Sequence, residues 1–593
     1  MQLQKVKKIA QINKCEKVEK TLERLKAAFN RMNLKYEYAS REFFQGSSIF
    51  SSSLTWVGLN FETNGKGLSC KLTMASAFAE MAERISSRLH FKQITDYGAD
   101  SKYKELIHKF RTFKYLKGYF YGSAKDDSFL AIEDLLKNIK ISKKNIDIIK
   151  KQEISKHWVN GYSLTRDREI KVPLLLIKKI SGSNGLASGN RIEEAIAQGA
   201  CEIFERYVKI KIVKQKMIVP TIDKKSIRDK KIQELFGILD DANIETIVKD
   251  FSLGNEFPCI GILFINKNLK NTKNPINKAV NYKRLFVGAS FNLKEALTRC
   301  IAEYAQGYTL DGFKRNKVFD IIYSDWFKAQ GILYKTEDNF NNFDRSGVFT
   351  GDLMFLKKGK KKNFHSIAFR KSSDFLDDIT QIKEICANNN IECIFVDQTH
   401  PVLQFPVVRI IMPGFDNVLS YRNYAKNVKN ITESSSIFLS EYIEDDSWYK
   451  SKQGINKVIK KIEKHIEEEP FALSISTLGF NNRKINLIEL LASLYVVVGK
   501  FTKAAVCFRI LSKNYPGESE VYSRLEALSK RKEKDAVIKI LGRLKGCYRF
   551  LISSLRKNPL VEWCDEPCEN QCSKYYEQEV VRVIKTFFNP PQC

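Results

Sequence analysis

Two segments of this chain are too apolar to face water on any side, yet each carries a pair of glutamates. Cys70–Leu89 contains Ser76-Ala-Phe-Ala-Glu80-Met-Ala-Glu83-Arg84, with Ala75, Ala77, Phe78, Ala79, Met81, Ala82 and Ile85 around it. Arg191–Ile212 contains Gln198-Gly-Ala-Cys-Glu202-Ile-Phe-Glu205-Arg206 in a similar setting. A helix that is apolar all round is buried, so both segments predict central helices of a layered fold. Residues three apart share a helix face, and like charges held that close away from water need a cation or a proton. A single Glu-x-x-Glu-Arg is a common surface string that pairs with itself. Two copies on apolar helices point instead to a hard cation with oxygen ligands, Mg²⁺ above all, with phosphate oxygens completing the shell. Glu80, Glu83, Glu202 and Glu205 are the candidate metal ligands. Arg84, Arg206 and Arg299 then clamp phosphates or orient the carboxylates. Glu194, Gln198 and Glu202 recur every four residues as a polar stripe, and a third helix, Leu293–Tyr308, offers Arg299, Glu303 and Gln306.

The chain has 593 residues, 43% of them hydrophobic, enough for a large core and for more than one domain. A helical pattern over Cys15–Leu34 precedes strand-like runs at Leu54–Phe61 and Lys171–Lys179. Further strands are expected at Cys259–Ile265, Arg284–Ala289, Ile391–Val396 and Val407–Met412. Helices and strands alternate without a strict βαβ rhythm, which predicts an α/β or α+β layered domain over residues 1–425. Ser and acidic residues accumulate over a connecting segment, 426–480. The remainder, 481–593, reads as all-α, and Ala492, Tyr495, Gly499, Ala504, Phe508 and Pro516 fit the spacing of one tetratricopeptide (TPR) unit. A plain helical domain, suited to homodimerisation, fits the same pattern.

No apolar run approaches the ~20 residues of a membrane span, and the N-terminus shows no signal-peptide stretch; the expected location is cytoplasmic. Lys and Arg number 99 against 68 acids, a formal charge of +31. No single basic stripe and no RNA-binding motif accompany it, so the excess reads as compositional and nucleic acid is not expected as a direct partner.

Two loops bear on the site. Ser181–Asn190 is rich in Gly, Ser and Asn, and Asn190 with Glu193 looks like a helix capping box, an end where an anion can dock. Thr63-Asn-Gly-Lys-Gly67 reads as a tight turn carrying a cation. No Gly-x-x-x-x-Gly-Lys-Ser/Thr occurs anywhere in the chain, so a nucleotide site here is of a non-Walker kind.

Taken together, the Thr63–Gly67 segment, Ser76-x3-Glu80-x2-Glu83-Arg84, Asn184-Gly185 with Gly189-Asn190, Glu194 through Arg206, Arg299-x3-Glu303-x2-Gln306 and Pro406–Gly414 resemble the YcaO family in order and spacing over about the first 420 residues. The resemblance implies ATP held by glutamate-bound Mg²⁺, with Glu80, Glu83, Glu202 and Glu205 as ligands. It implies nucleotide or site-ordering contacts for Ser76, Asn190, Glu194, Arg206 and Arg299, and for Lys14 and Thr21 as an N-terminal Lys-x6-Ser/Thr pair. The chemistry implied is phosphorylation of a peptide amide oxygen, with a nucleophile then giving an azoline or a thioamide. No substrate-docking domain precedes the similar region, and the end Asn589–Cys593 lacks a Pro-x-Pro-x-Pro tail. Both features favour the stand-alone branch, implicated as an accessory to β-methylthiolation of the twelfth small-subunit ribosomal protein. The implied partners are a peptide or ribosomal-protein substrate and a methylthiotransferase. A non-catalytic adaptor is the alternative in another class.

Cys564, Cys568 and Cys572 recur every four residues, with Cys593 at the end. Stacked on a helix they are candidate ligands of a second site for zinc or an iron–sulfur cluster. The other cysteines are scattered singly, as small buried hydrophobes are.

Overall fold

The computed structural model describes residues 3–9, 13–32, 34–43, 48–56, 61–87, 116–137, 143–151, 155–271, 282–305, 353–370, 372–415, 452–468, 477–480, 483–514 and 519–544. In chain order the elements of the first part are α1 (Val18–Arg31), β1 (Tyr36–Glu42), β2 (Phe50–Trp56), β3 (Phe61–Gly67), α2 (Cys70–Ser86), β4 (Phe120–Tyr121), α3 (Ile132–Leu136), α4 (Lys143–Lys151), β5 (His157–Ser163), β6 (Arg168–Val172), α5 (Leu174–Ser181), β7 (Leu186–Ser188) and α6 (Ile192–Lys214). Then come β8 (Thr221–Ile222), α7 (Lys230–Asp241), β9 (Ile244–Asp250), β10 (Cys259–Asn266), β11 (Lys283–Ala289), α8 (Leu293–Ala305), β12 (Lys361–Lys362), α9 (Phe375–Asn388), β13 (Ile394–Asp397) and β14 (Val407–Ile411).

Three sheets result: β1-β2-β3, β11-β10-β9-β8-β12, and β4-β5-β13-β14-β7 with β6 beside β5. Among the described strands only β8 and β12 pair with each other in parallel. The fold is therefore of the layered α+β kind expected. The reason α6 is apolar all round is now visible, for it lies between two sheets. Cys259, Leu263 and Ile265 of β10 reach its core from one side, and Val408 and Ile410 of β14 from the other. The alternate residues Ile260, Ile262 and Phe264 turn to a second core with α7 and α8, while Ile394, Val396 and Ile411 turn to a third, against α5. Period-two alternation thus serves two cores per sheet, and β10 is buried along its whole length.

The small sheet is organised by α2, which packs with α1 in a core of its own: Leu25, Phe29, Trp56, Phe78 and Met81, closed by Leu403 and Phe405. Phe78 stacks on Phe29 with centroids 5.2 Å apart and meets Tyr36 edge-on at 4.9 Å.

Two expectations fail here for local reasons. Thr63–Gly67 is not a turn but the end of β3, paired residue for residue with β2. A Cβ on Gly65 would lie 2.1 Å from the Thr73 carbonyl oxygen, so this glycine lets helix α2 approach the strand. Lys171–Lys179 is not one strand: β6 ends at Val172, and Pro173 opens helix α5. A short apolar run does not distinguish strand from buried helix.

Further along, α10 (Lys452–Glu468) and a hairpin of β15 (Thr477–Phe480) and β16 (Arg483–Asn486) precede four helices, α11 (Leu487–Val498), α12 (Phe501–Asn514), α13 (Ser519–Lys530) and α14 (Lys534–Leu544). Ala492, Tyr495, Ala504 and Phe508, the small and aromatic positions of the expected repeat, are all fully buried where the helices meet. The Tyr495 hydroxyl donates to Glu463 at 2.7 Å and ties α11 to α10. Among the described residues no helix is long and apolar enough to cross a membrane.

Candidate nucleotide and metal site

Helices α2, α6 and α8, strand β3 and the segment leading into α1 enclose a cavity of about 790 Å³. Lys14, Thr21, Ser76, Glu80, Glu83, Asn190, Glu194, Glu202, Glu205, Arg206 and Arg299 all line it, so every described candidate of the main site meets in one place. Gln306 and the cysteines Cys564, Cys568, Cys572 and Cys593 lie outside the described residues.

Each Glu-x-x-Glu-Arg turn has the same internal logic. The Arg84 guanidinium donates to Glu80, one helical turn back, at 2.9 Å; Arg206 likewise reaches Glu202 at 3.2 Å. The arginines orient the first glutamate of each pair. The second glutamates are held differently. Glu83 is 3.4 Å from Arg84, and its pKa is pushed up to about 8 by burial, with Glu80 and Glu202 adding to the rise against Arg84 and Arg409. Glu205 is pushed up to about 7, again by burial first, with Glu303 adding to the rise against Arg299 and Arg206. The carboxylates of α2 and α6 therefore feel one another across the cavity, and burial leaves Glu83 largely and Glu205 about half protonated near pH 7.

Among the described residues no three His, Cys, Asp or Glu side chains close tightly enough to cage a metal unaided. Mg²⁺ takes one or two carboxylates and completes its shell with water and phosphate oxygens, and the glutamates lining this cavity are donors of that kind. Oxygen donors with raised proton affinity, set in a cavity of nucleotide size, fit a Mg²⁺–phosphate ligand.

The polar stripe of α6 receives the chain ahead of α1. Lys14 donates to Gln198 at 2.8 Å and lies 3.4 Å from Glu194. Burial works to raise the Glu194 pKa, but Lys14, the Cys15 thiol and amide, and Asn190 outweigh it and hold the carboxylate below its ordinary range. Asn190 is not the cap of α6: Arg191 takes that position and no side chain caps the helix. The Asn190 side chain instead accepts from the Thr21 hydroxyl at 2.8 Å and turns its amide toward Glu194 at 3.4 Å. It joins α1 to α6, a contact 169 residues apart in sequence that local pattern could not reveal.

The opposite wall holds a pair that residue spacing alone did not connect. Lys66 of β3 forms an ion pair with Glu303 of α8. Burial works to raise the Glu303 pKa, but Lys66, Arg299 and Arg206 hold it low. Glu16, paired with Arg24 at 3.0 Å, also lines the cavity and carried no motif to mark it. The loop before α6 is pinned from below by Arg409, a fully buried residue of β14 that donates to the carbonyls of Asn184 at 2.7 Å and Gly182 at 2.8 Å. Gly185 there has φ +74°, and its Cβ would lie 2.5 Å from the Ile410 carbonyl.

Residues 64–416 match the family model described as YcaO cyclodehydratase, ATP- and Mg²⁺-binding. The chain belongs to the YcaO family. ATP and Mg²⁺ are accordingly its cofactors, and Lys14 and Thr21 stand ahead of the matched span while lining the same cavity. Over 368 residues the chain is 25% identical to the ribosomal protein S12 methylthiotransferase accessory factor YcaO of Escherichia coli K12, and 26% identical to an uncharacterized protein of Haemophilus influenzae. Each alignment covers 60% of this chain and 57% of the relative, so the chain spans a little over half the length of these relatives. Among solved structures, YcaO from Methanopyrus kandleri bound with AMPPCP and Mg²⁺ is similar with a TM-score of 0.45 at 16% identity, covering 70% of this chain and 96% of that one. A heterocyclase in complex with substrate and cofactor has a TM-score of 0.49 at 17% identity, covering 70% of this chain and 54% of that one.

Proposed function

We propose that the protein uses ATP and Mg²⁺ to activate a peptide backbone amide. The observation that carries this reading is the convergence in one cavity of two carboxylate pairs, from α2 and α6, with the Lys14, Thr21, Asn190 and Arg299 side chains. When bound, MgATP supplies a phosphoryl group for the amide oxygen, leaving ADP and a carbon open to a nucleophile. Glu80, Glu83, Glu202 and Glu205 are assigned to hold Mg²⁺, Arg84 and Arg206 to fix Glu80 and Glu202, and Lys14, Thr21, Ser76, Asn190, Glu194 and Arg299 to bind nucleotide or order its site.

The substrate assigned is a peptide or ribosomal protein. Support for a role beside a methylthiotransferase comes from the name of the E. coli relative; azoline or thioamide formation is the alternative outcome of the same activation. The division into 1–425, 426–480 and 481–593 gives this chemistry to the first part and partner binding or homodimerisation to the TPR-like helices. ATP binding with and without Mg²⁺, on wild type and on Glu80→Gln and Glu202→Gln, tests the proposal. Mg²⁺-dependent binding that collapses in both variants is the expected result. Retained binding in both variants refutes the ligand assignment, and no binding in wild type leaves the non-catalytic adaptor.

A further inference from the structure

Lys14 reaches the cavity from a segment that belongs to no helix or sheet, and its placement needs a cause. Residues 3–9 run beside the start of α9, where the Lys8 amide donates to the Ser373 carbonyl at 2.8 Å and the Phe375 amide to the Val6 carbonyl at 2.9 Å. Ile9 and Lys14 are paired: the Ile9 amide donates to the Lys14 carbonyl at 2.7 Å, and the Asn13 amide to the Ile9 carbonyl at 2.8 Å. This pairing sets Lys14 against Gln198 and Glu194, and the Cys15 amide against Glu194 at 3.1 Å.

Side-chain contacts tie this segment to the body of the protein, among them Asn13 to the Ser290 hydroxyl at 3.4 Å and the Gln4 amide to Glu193 at 2.9 Å, and the most deeply buried ion pair among them is made by Lys8. Lys8 forms a 2.6 Å ion pair with Asp378 of α9, with side chains only 4% and 6% exposed. The ammonium also lies 5.0 Å from the Phe375 ring centroid and 3.3 Å from the Ser372 hydroxyl. Asp378 and Phe375 in turn wall a small chamber of about 30 Å³ together with Lys14, Gln198 and Arg299. A buried pair of this kind gains little net stability over apolar neighbours but is costly to break from one side, which makes it a device for fixing position.

We infer that the Lys8–Asp378 pair is a positioning element for the nucleotide site, holding the Ile9–Lys14 pairing in the register that sets Lys14 against α6. This rests on the reading of the cavity as a nucleotide site. The pair acts through Lys14 and touches no ligand itself.

Calorimetry with Mg²⁺ and a non-hydrolysable ATP analogue tests it on the full chain. Lys8→Met is expected to weaken binding about tenfold, the scale of one charge-assisted hydrogen bond. Lys8→Met/Lys14→Met is expected to bind no more weakly than Lys14→Met, because both changes remove the same contact. The exchanged pair Lys8→Asp/Asp378→Lys is expected to recover most of the loss, which a general loosening of the fold would not allow. The apolar pair Lys8→Met/Asp378→Leu, which leaves no buried charge, guards against unfolding and is expected to weaken binding like Lys8→Met. Wild-type affinity in Lys8→Met, or independent effects of the two lysines, overturns the inference. Hydrogen exchange of the Cys15 amide decides without nucleotide: faster exchange in Lys8→Met supports the lock and unchanged exchange overturns it. A wild type that binds no nucleotide, with Cys15 exchange still dependent on Lys8, refutes the nucleotide reading alone.

Discussion

Burial raises the pKa of two glutamates in the cavity, and the release of their protons on Mg²⁺ binding is measurable. Glu83 with a pKa of about 8 and Glu205 with a pKa of about 7 are raised above the ordinary carboxylate value, so each keeps its proton until the pH passes the shifted value. Near pH 6 both are protonated, and if they are the proposed ligands, Mg²⁺ with nucleotide is expected to expel about two protons on binding. Near pH 7.5 about three-quarters of a proton remains on Glu83 and about one quarter on Glu205, so about one is released. Near pH 9 almost none is left. The same occupancies make binding roughly 200-fold weaker near pH 6 than near pH 7.5. Calorimetry in two buffers of different ionisation enthalpy at each pH counts the protons directly. Release that stays near zero at all three values, or that grows with pH, refutes the burial argument and with it the assignment of these two glutamates. The sign extends to stability: a carboxyl whose folded pKa lies above its unfolded value of 4.5 stabilises the metal-free fold fully only below that value. Its contribution is lost as the pH rises through about 8.

Two packing predictions bear on the same site. Gly65→Ala puts a methyl group against the Thr73 carbonyl oxygen and must push α2 from β3, so Mg²⁺-dependent nucleotide binding is expected to fall at least tenfold, from the lost placement of Glu80 and Glu83; unchanged affinity by calorimetry would show that α2 can shift freely. Phe78→Ala empties the centre of the α1–α2 core, where the ring is 1% exposed, and is expected to cost about 3–5 kcal/mol in denaturant unfolding followed at that core; a loss below about 1 kcal/mol would contradict the stacking described.

Much of this site is legible in the chain itself, for a definite reason. A helix apolar on all sides has only one stable place, between layers, and two glutamates kept on such a helix mark a buried polar function. Those facts concern residues within a turn of one another, which is the range over which helical periodicity carries information. The chemistry of Glu80, Glu83, Glu202 and Glu205 could be proposed on that basis, as could the placement of β10, β11, β13 and β14, whose apolar runs end in clear turn residues.

Other features depend on contacts between residues far apart in the chain. That Arg84 and Arg206 serve the first glutamate of each pair, leaving Glu83 and Glu205 to take up protons, follows from burial set by neighbouring elements. Asn190 has the sequence of a helix cap and is claimed instead by Thr21 from α1. Gly65 has the composition of a turn and the role of a close contact. Lys8 is one lysine among many, distinguished only when the fold brings Asp378 to it. In each case a charged, polar or glycine residue has several local uses of similar energy, and the packing of α1, α2, α6 and α9 selects among them.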